Sequence, residues 1–86
     1  MNLNKPSKAG SLESNDILIL LYPATERSIE LDSPVKQQFG AEIEAVINAT
    51  LDELEVGPVK VIAKDRGALN FAITARVKTA VLRGAE

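Results

Sequence analysis

Apolar and polar positions change their spacing several times along the chain, and each change marks an element. Residues 16–22 hold six consecutive apolar residues, Ile17 to Tyr22. Such a run is too short for an independent helix and predicts a strand buried on both faces, ended by Pro23. Across residues 27–32 the period is two, with Ile29 and Leu31 on one side and Ser28, Glu30 and Asp32 on the other, a second strand. The short connection at residues 23–26 predicts an antiparallel hairpin between them. From residue 34 to 55 the period lengthens, and Val35, Phe39, Ile43, Val46, Ile47, Leu51 and Leu54 form one helical stripe. That helix would be roughly 33 Å long. Ser33 is suited to cap it and Pro34 to open it; Gly57, in a left-handed conformation, and Pro58 would stop it.

Residues 58–64 alternate again, Val59, Val61 and Ala63 against Lys60, Ile62 and Lys64, and Asp65-Arg66-Gly67 follows as a turn. Residues 68–84 satisfy both periods. Leu69, Phe71, Ile73, Ala75 and Val77 alternate as in a strand, while Leu69, Ala72, Ile73, Val77, Ala80 and Val81 make a helical stripe. The preceding turn and the β-branched content favour a strand from 68 to about 77 and a short C-terminal helix. Residues 1–10 are small and polar and read as a flexible arm or an edge segment, with Leu3 and Leu12 as its attachment points. The expected fold is a single α+β domain, residues 1–86. It has a small, mostly antiparallel sheet of about four strands, one long helix packed on one face and a short C-terminal helix.

Composition narrows the chemistry. The chain has no Cys and no His. Disulfides, zinc–thiolate sites and the commonest general base are therefore absent. Aromatic residues number three, too few for base-stacking platforms, and the net charge is −2, so nucleic acid is not an expected partner. The longest apolar run is too short to span a bilayer and no apolar signal segment follows the N-terminal lysines, so the expected location is cytoplasmic, away from membranes. Charge is segregated. Residues 11–55 hold ten carboxylates against Arg27 and Lys36; residues 58–86 hold six cations against Asp65 and Glu86.

None of the charged groupings suggests catalysis. Glu42 and Glu44 are two apart on a helix and do not face each other. Asp52, Glu53 and Glu55 cluster in its last turns without an acid–base partner. Lys64, Arg66 and Gly67 lack the spacing of a phosphate loop. Arg76, Lys78 and Arg83 read as a basic edge that could touch an acidic partner or the phosphates of a bound group. The segment Ala9-Gly10-Ser11-Leu12-Glu13-Ser14-Asn15-Asp16 offers two hydroxyls just before the most apolar strand. A serine without a base is a poor nucleophile but a good acceptor of a covalently attached group. Ser14 reads as a residue to which a group is added, with Ser11 the fallback, but Ser, Asn, Asp and Gly before an apolar run also make an ordinary strand entry, and the pattern alone favours that plainer reading.

Taken together, Ala9–Asp16, Ser33-Pro34-Val35-Lys36-Gln37-Gln38-Phe39-Gly40, Asp65-Arg66-Gly67-Ala68-Leu69-Asn70 and Ala75-Arg76-Val77 resemble the acyl carrier protein, or gamma subunit, of citrate lyase. The resemblance spans nearly the whole chain. The family has Lys where this chain has Arg66 and Asp where it has Asn70. It implies that Ser14 carries a 2'-(5''-phosphoribosyl)-3'-dephospho-CoA group through a phosphodiester, installed by a prosthetic-group transferase. The thiol of that group would carry acetyl and citryl thioesters while the alpha subunit exchanges the acyl groups and the beta subunit releases oxaloacetate. The chain itself would be a non-catalytic subunit. Four-helix pantetheine carriers, by contrast, place their serine at a helix start, usually after Asp; here it follows Glu. Two other functions fit the same residues: the carrier subunit of malonate decarboxylase, and an assembly module without a prosthetic group. Glu13 and Asp16 would repel the arm's phosphates and keep it off the surface.

Overall fold

A computed structural model describes all residues, 1–86. Its elements in chain order are β1 (Ser7–Ala9), β2 (Ile17–Pro23), β3 (Ser28–Asp32), α1 (Lys36–Glu53), β4 (Val59–Asp65) and α2 (Asn70–Ala85). The four strands form one mixed sheet in the order β1-β2-β4-β3. The α+β class is as expected; the fourth strand is Ser7–Ala9 rather than residues 68–77, and the connections differ.

The two most apolar strands, β2 and β4, pair antiparallel along their whole length, Ile17 opposite Asp65 and Pro23 opposite Val59. The shorter strands take the edges, where Lys8 on β1 and Glu30 and Asp32 on β3 face solvent. The expected hairpin between residues 16–22 and 27–32 does not form. β4 lies between them, and β3 runs parallel to β4 with Ile29 opposite Val61. A parallel pair needs a crossover, and α1 supplies it. Residues 24–27 instead pass over the start of β4, and Arg27 fastens them: its guanidinium donates to Asp52 at 2.6 Å and to the Val56 carbonyl at 2.9 Å.

Both helices lie on the same face of the sheet, α2 over β1 and β2 and α1 beside it against β3. Between helices and sheet sits one core that includes Ile17, Ile19, Leu21, Ile47, Leu51, Val59, Val61, Ile73, Val77 and Val81, each 0% exposed. Each such aliphatic side chain contributes about 1.5–3 kcal/mol relative to exposure. Because one face alone is covered, β2 is not buried on both: Leu18 and Leu20 are half-buried and Tyr22 is exposed. On this open face Lys64 stands opposite Leu18, Ile62 opposite Leu20 and Lys60 opposite Tyr22.

Residues 68–77 are not a strand. Residues 68 and 69 lead into α2, which takes up the rest, runs 16 residues where a short helix was expected, and buries Ile73, Val77, Ala80, Val81 and Gly84, close to the helical stripe. The sheet edge beside β2 is occupied by Ser7–Ala9, so the C-terminal segment covers the core instead. The N-terminal segment runs along α2: the Asn4 N–H donates to the Gly84 carbonyl at 2.8 Å, and the Ser7 hydroxyl donates to the Ala80 carbonyl at 2.6 Å.

Helix ends differ in detail. Ser33 and Pro34 precede α1; Val35 holds its cap position without a side-chain cap. The left-handed residue after α1 is Glu55 (φ 54°), not Gly57, and the Val56 N–H closes the end on the Leu51 carbonyl. Within the α1 stripe Phe39 is 51% exposed, and Gly40 is buried beside it.

Candidate functional site

Residues 10–16 join β1 to β2 at one end of the sheet. Gly10 opens the loop at φ 97°, where a Cβ would stand 1.8 Å from the Ile17 carbonyl oxygen, so glycine is required. The Asp16 N–H donates to the Glu13 carbonyl at 3.2 Å, which closes a turn whose central residues are Ser14 and Asn15. Asn15 takes φ 66°, a conformation that asparagine tolerates better than most residues.

The turn rests on a rigid base. The Asn15 N–H donates to the Arg66 carbonyl at 2.7 Å, and the Arg66 N–H donates to the Asp16 carbonyl at 2.9 Å. These two bonds continue the β2–β4 ladder past Ile17 and Asp65 and bind the Ser14 loop to the 65–67 turn. That second turn is itself held by Asp65, 1% exposed, which accepts from Gly67 and Ala68 N–H groups and from the Ser33 hydroxyl at 2.8 Å. Ser33, expected as a helix cap, thus serves a buried carboxylate.

From α2, Arg76 reaches under the loop and grips Asp16 with both arms, Nε to Oδ1 and Nη2 to Oδ2 at 3.0 Å each. The Ser11 hydroxyl donates to the same carboxylate at 2.6 Å and the Ile17 N–H at 2.7 Å. The guanidinium first, then the Ser11 hydroxyl, hold the Asp16 carboxyl down to about 2, against the opposing effect of burial. Asp16 is therefore an anchor, not a free charge that repels an arm; Glu13 alone on this loop stands without a cation. The expected basic edge is dispersed. Arg76 is bound to Asp16, Lys78 approaches Glu53 at 3.5 Å, and Arg83 donates to the Lys8 carbonyl at 2.8 Å. The anchoring role of Arg76 was not legible beforehand, since its partner lies 60 residues away.

The two hydroxyls are thereby separated. Ser11 is tied into the base of the loop, while Ser14 projects from the tip of the turn and is exposed. The arrangement presents the Ser14 hydroxyl on a stiff mount.

Comparison with known proteins gives the arrangement its class. The family model described as ACP, malonate decarboxylase delta subunit (MdcD), matches residues 4–84. The chain is 44% identical to the citrate lyase acyl carrier protein of Klebsiella pneumoniae, across 100% of this chain and 91% of that protein. It is 48% identical to citrate lyase acyl carrier protein 2 of Salmonella paratyphi A, with the same coverage. The crystal structure of a Pseudomonas malonate decarboxylase hetero-tetramer in complex with malonate contains a chain that superposes with a TM-score of 0.80. The match has 17% identity and covers 92% of this chain and 82% of that one, a likeness of fold. The molecule is a carrier and not itself a catalyst. More narrowly, the chain belongs to the citrate lyase acyl carrier protein family. Membership implies a covalently bound prosthetic group and a place in a multi-subunit complex. No helix is long and apolar enough to cross a membrane.

Proposed function

We propose that the chain is the acyl carrier subunit of citrate lyase and that Ser14 bears 2'-(5''-phosphoribosyl)-3'-dephospho-CoA through a phosphodiester. The observation that carries the reading is the position of Ser14 at the tip of a turn braced from below, with the neighbouring Ser11 hydroxyl already engaged by Asp16. When attached, the group supplies the thiol on which acetyl and citryl travel as thioesters. The protein's own residues hold its root. Asp16 and Arg76 immobilise the loop, the Asn15–Arg66 backbone bond stops the turn from peeling away, and the exposed Oγ leaves the arm outside. The partners on this reading are the alpha and beta subunits of citrate lyase and the transferase that attaches the group.

The test is the intact mass of protein made in its native host. The expected result is an added coenzyme-sized mass that Ser14→Ala abolishes and Ser11→Ala retains; a mass gain that persists in Ser14→Ala overturns the assignment.

One observation favours a second reading, the malonate decarboxylase carrier: the matching family model is described as that system's delta subunit. The sequence identities of 44% and 48% to citrate lyase carriers weigh against it. Acyl exchange with purified catalytic subunits of each system decides between them.

A further inference from the structure

Of the seven large apolar side chains that stand exposed, four belong to the end of the molecule that bears Ser14. β2 starts at this end, β3 and β4 finish there, and both helices begin just beyond. Leu12 lies on the Ser14 loop, Phe39 in the first turn of α1, and Leu69 and Phe71 at the entry to α2, with exposures of 53, 51, 64 and 74%. Apolar side chains gathered in this way mark a contact surface.

The collar has a socket. A cleft of about 270 Å³ opens between the start of α1 and the 65–69 turn, walled by Phe39, Ile43, Ala68 and Leu69, with Glu42 at its rim. Gly67 is part of that wall, and a Cβ there would lie 3.7 Å from the Asn15 Oδ1. The socket thus begins one residue from Ser14.

An enzyme that makes a bond at Ser14 Oγ must bring its own reacting centre to bonding distance of this turn, so its surface must cover what surrounds the turn. Subunits working at the far end of a long arm face no such requirement. We propose that the apolar collar is the docking surface for the transferase that derivatises Ser14, and that the cleft receives an apolar side chain of that enzyme. Glu13 and Glu42 take part in no ion pair (Glu42 accepts from Asn70 at 3.2 Å), so the matching surface carries Lys or Arg beside its apolar anchor. This inference rests on the reading of Ser14 as the attachment residue.

The experiment follows attachment by intact mass, with purified transferase and its prosthetic-group donor, on wild type, Leu69→Ser, Phe71→Ser, Ser14→Ala and the control Leu82→Ser. Leu82 is 56% exposed on α2, three turns beyond Phe71. Circular dichroism confirms that each variant is folded. The expected result is a loss of roughly tenfold in kcat/KM, carried by KM, for each collar variant, with Leu82→Ser unchanged and the wild-type rate falling as salt is added. Collar variants modified at the wild-type rate overturn the docking proposal and leave Ser14 as the attachment residue. A mass gain retained in Ser14→Ala, or none in wild type, overturns the attachment reading itself. Collar variants that are modified normally but fail to assemble with the catalytic subunits assign the surface to those subunits and also overturn the proposal.

Discussion

Arg76 on the last helix and Asp16 on the first long loop meet in a two-pronged ion pair, and the pair sits directly beneath the turn that carries Ser14. It couples the mount of the proposed attachment site to α2, and its consequences can be measured.

Acid should loosen the loop before it unfolds the core. The Asp16 carboxyl is lowered in the folded protein from an ordinary value of 3.8 to about 2, first by Arg76 and then by Ser11. Its contribution is fully present above the unfolded value and is lost as pH falls through the folded one. Between pH 4 and 2 the wild type should therefore lose more stability than Asp16→Asn, measured as Tm against pH. Equal pH slopes for the two proteins would contradict the pair's role.

The two loop serines should separate stability from modification. Ser14→Ala removes an exposed hydroxyl and should change Tm little, while blocking attachment. Ser11→Ala removes the hydroxyl that donates to Asp16 and should cost about 1–2 kcal/mol by denaturant titration, with attachment retained. The reverse pattern would point to Ser11.

Gly10→Ala places a methyl group where the Ile17 carbonyl stands, at a φ that disfavours a side chain. The expected cost is at the upper end of roughly 1–3 kcal/mol, with the Asp16 and Ile17 amides exchanging faster by NMR.

Ser33→Ala withdraws the hydroxyl from Asp65, a carboxylate sealed at the base of the 65–67 turn. A loss of about 1–3 kcal/mol in chemical denaturation is expected. Retained stability would mean that water replaces the hydroxyl.

Phe39 and Ile47 share a helical stripe in sequence but not in burial. Ile47→Ala should cost about 2–5 kcal/mol, whereas Phe39→Ala should lie near 0.5 kcal/mol, roughly the scale for exposed positions.

Phe39 shows why part of the fold was legible and part was not. The period of its stripe placed the helix correctly, because helical spacing is a local property of the chain. Which stripe position meets a partner depends on where α2 packs, and residue spacing on α1 does not encode that. The same limit explains residues 68–77, which suit either a strand or a helix. The choice fell to the free edge of β2, taken by Ser7–Ala9. It explains the missing hairpin as well: β2 and β3 are close in sequence, but β4 offers β2 a longer and more apolar partner.

By itself the amino-acid order determined that the chain is of the α+β class, that it has neither cysteine nor histidine, and that a serine-bearing loop precedes its most apolar strand. Those follow from residue type and local period. Tertiary structure alone decided that Arg76 would brace that loop, that Ser11 would be tied down while Ser14 stands free, and that four exposed apolar side chains would share its end of the molecule. Each of these joins residues far apart in the chain, and such contacts exist only once the sheet has set its strand order and brought the helices against one face.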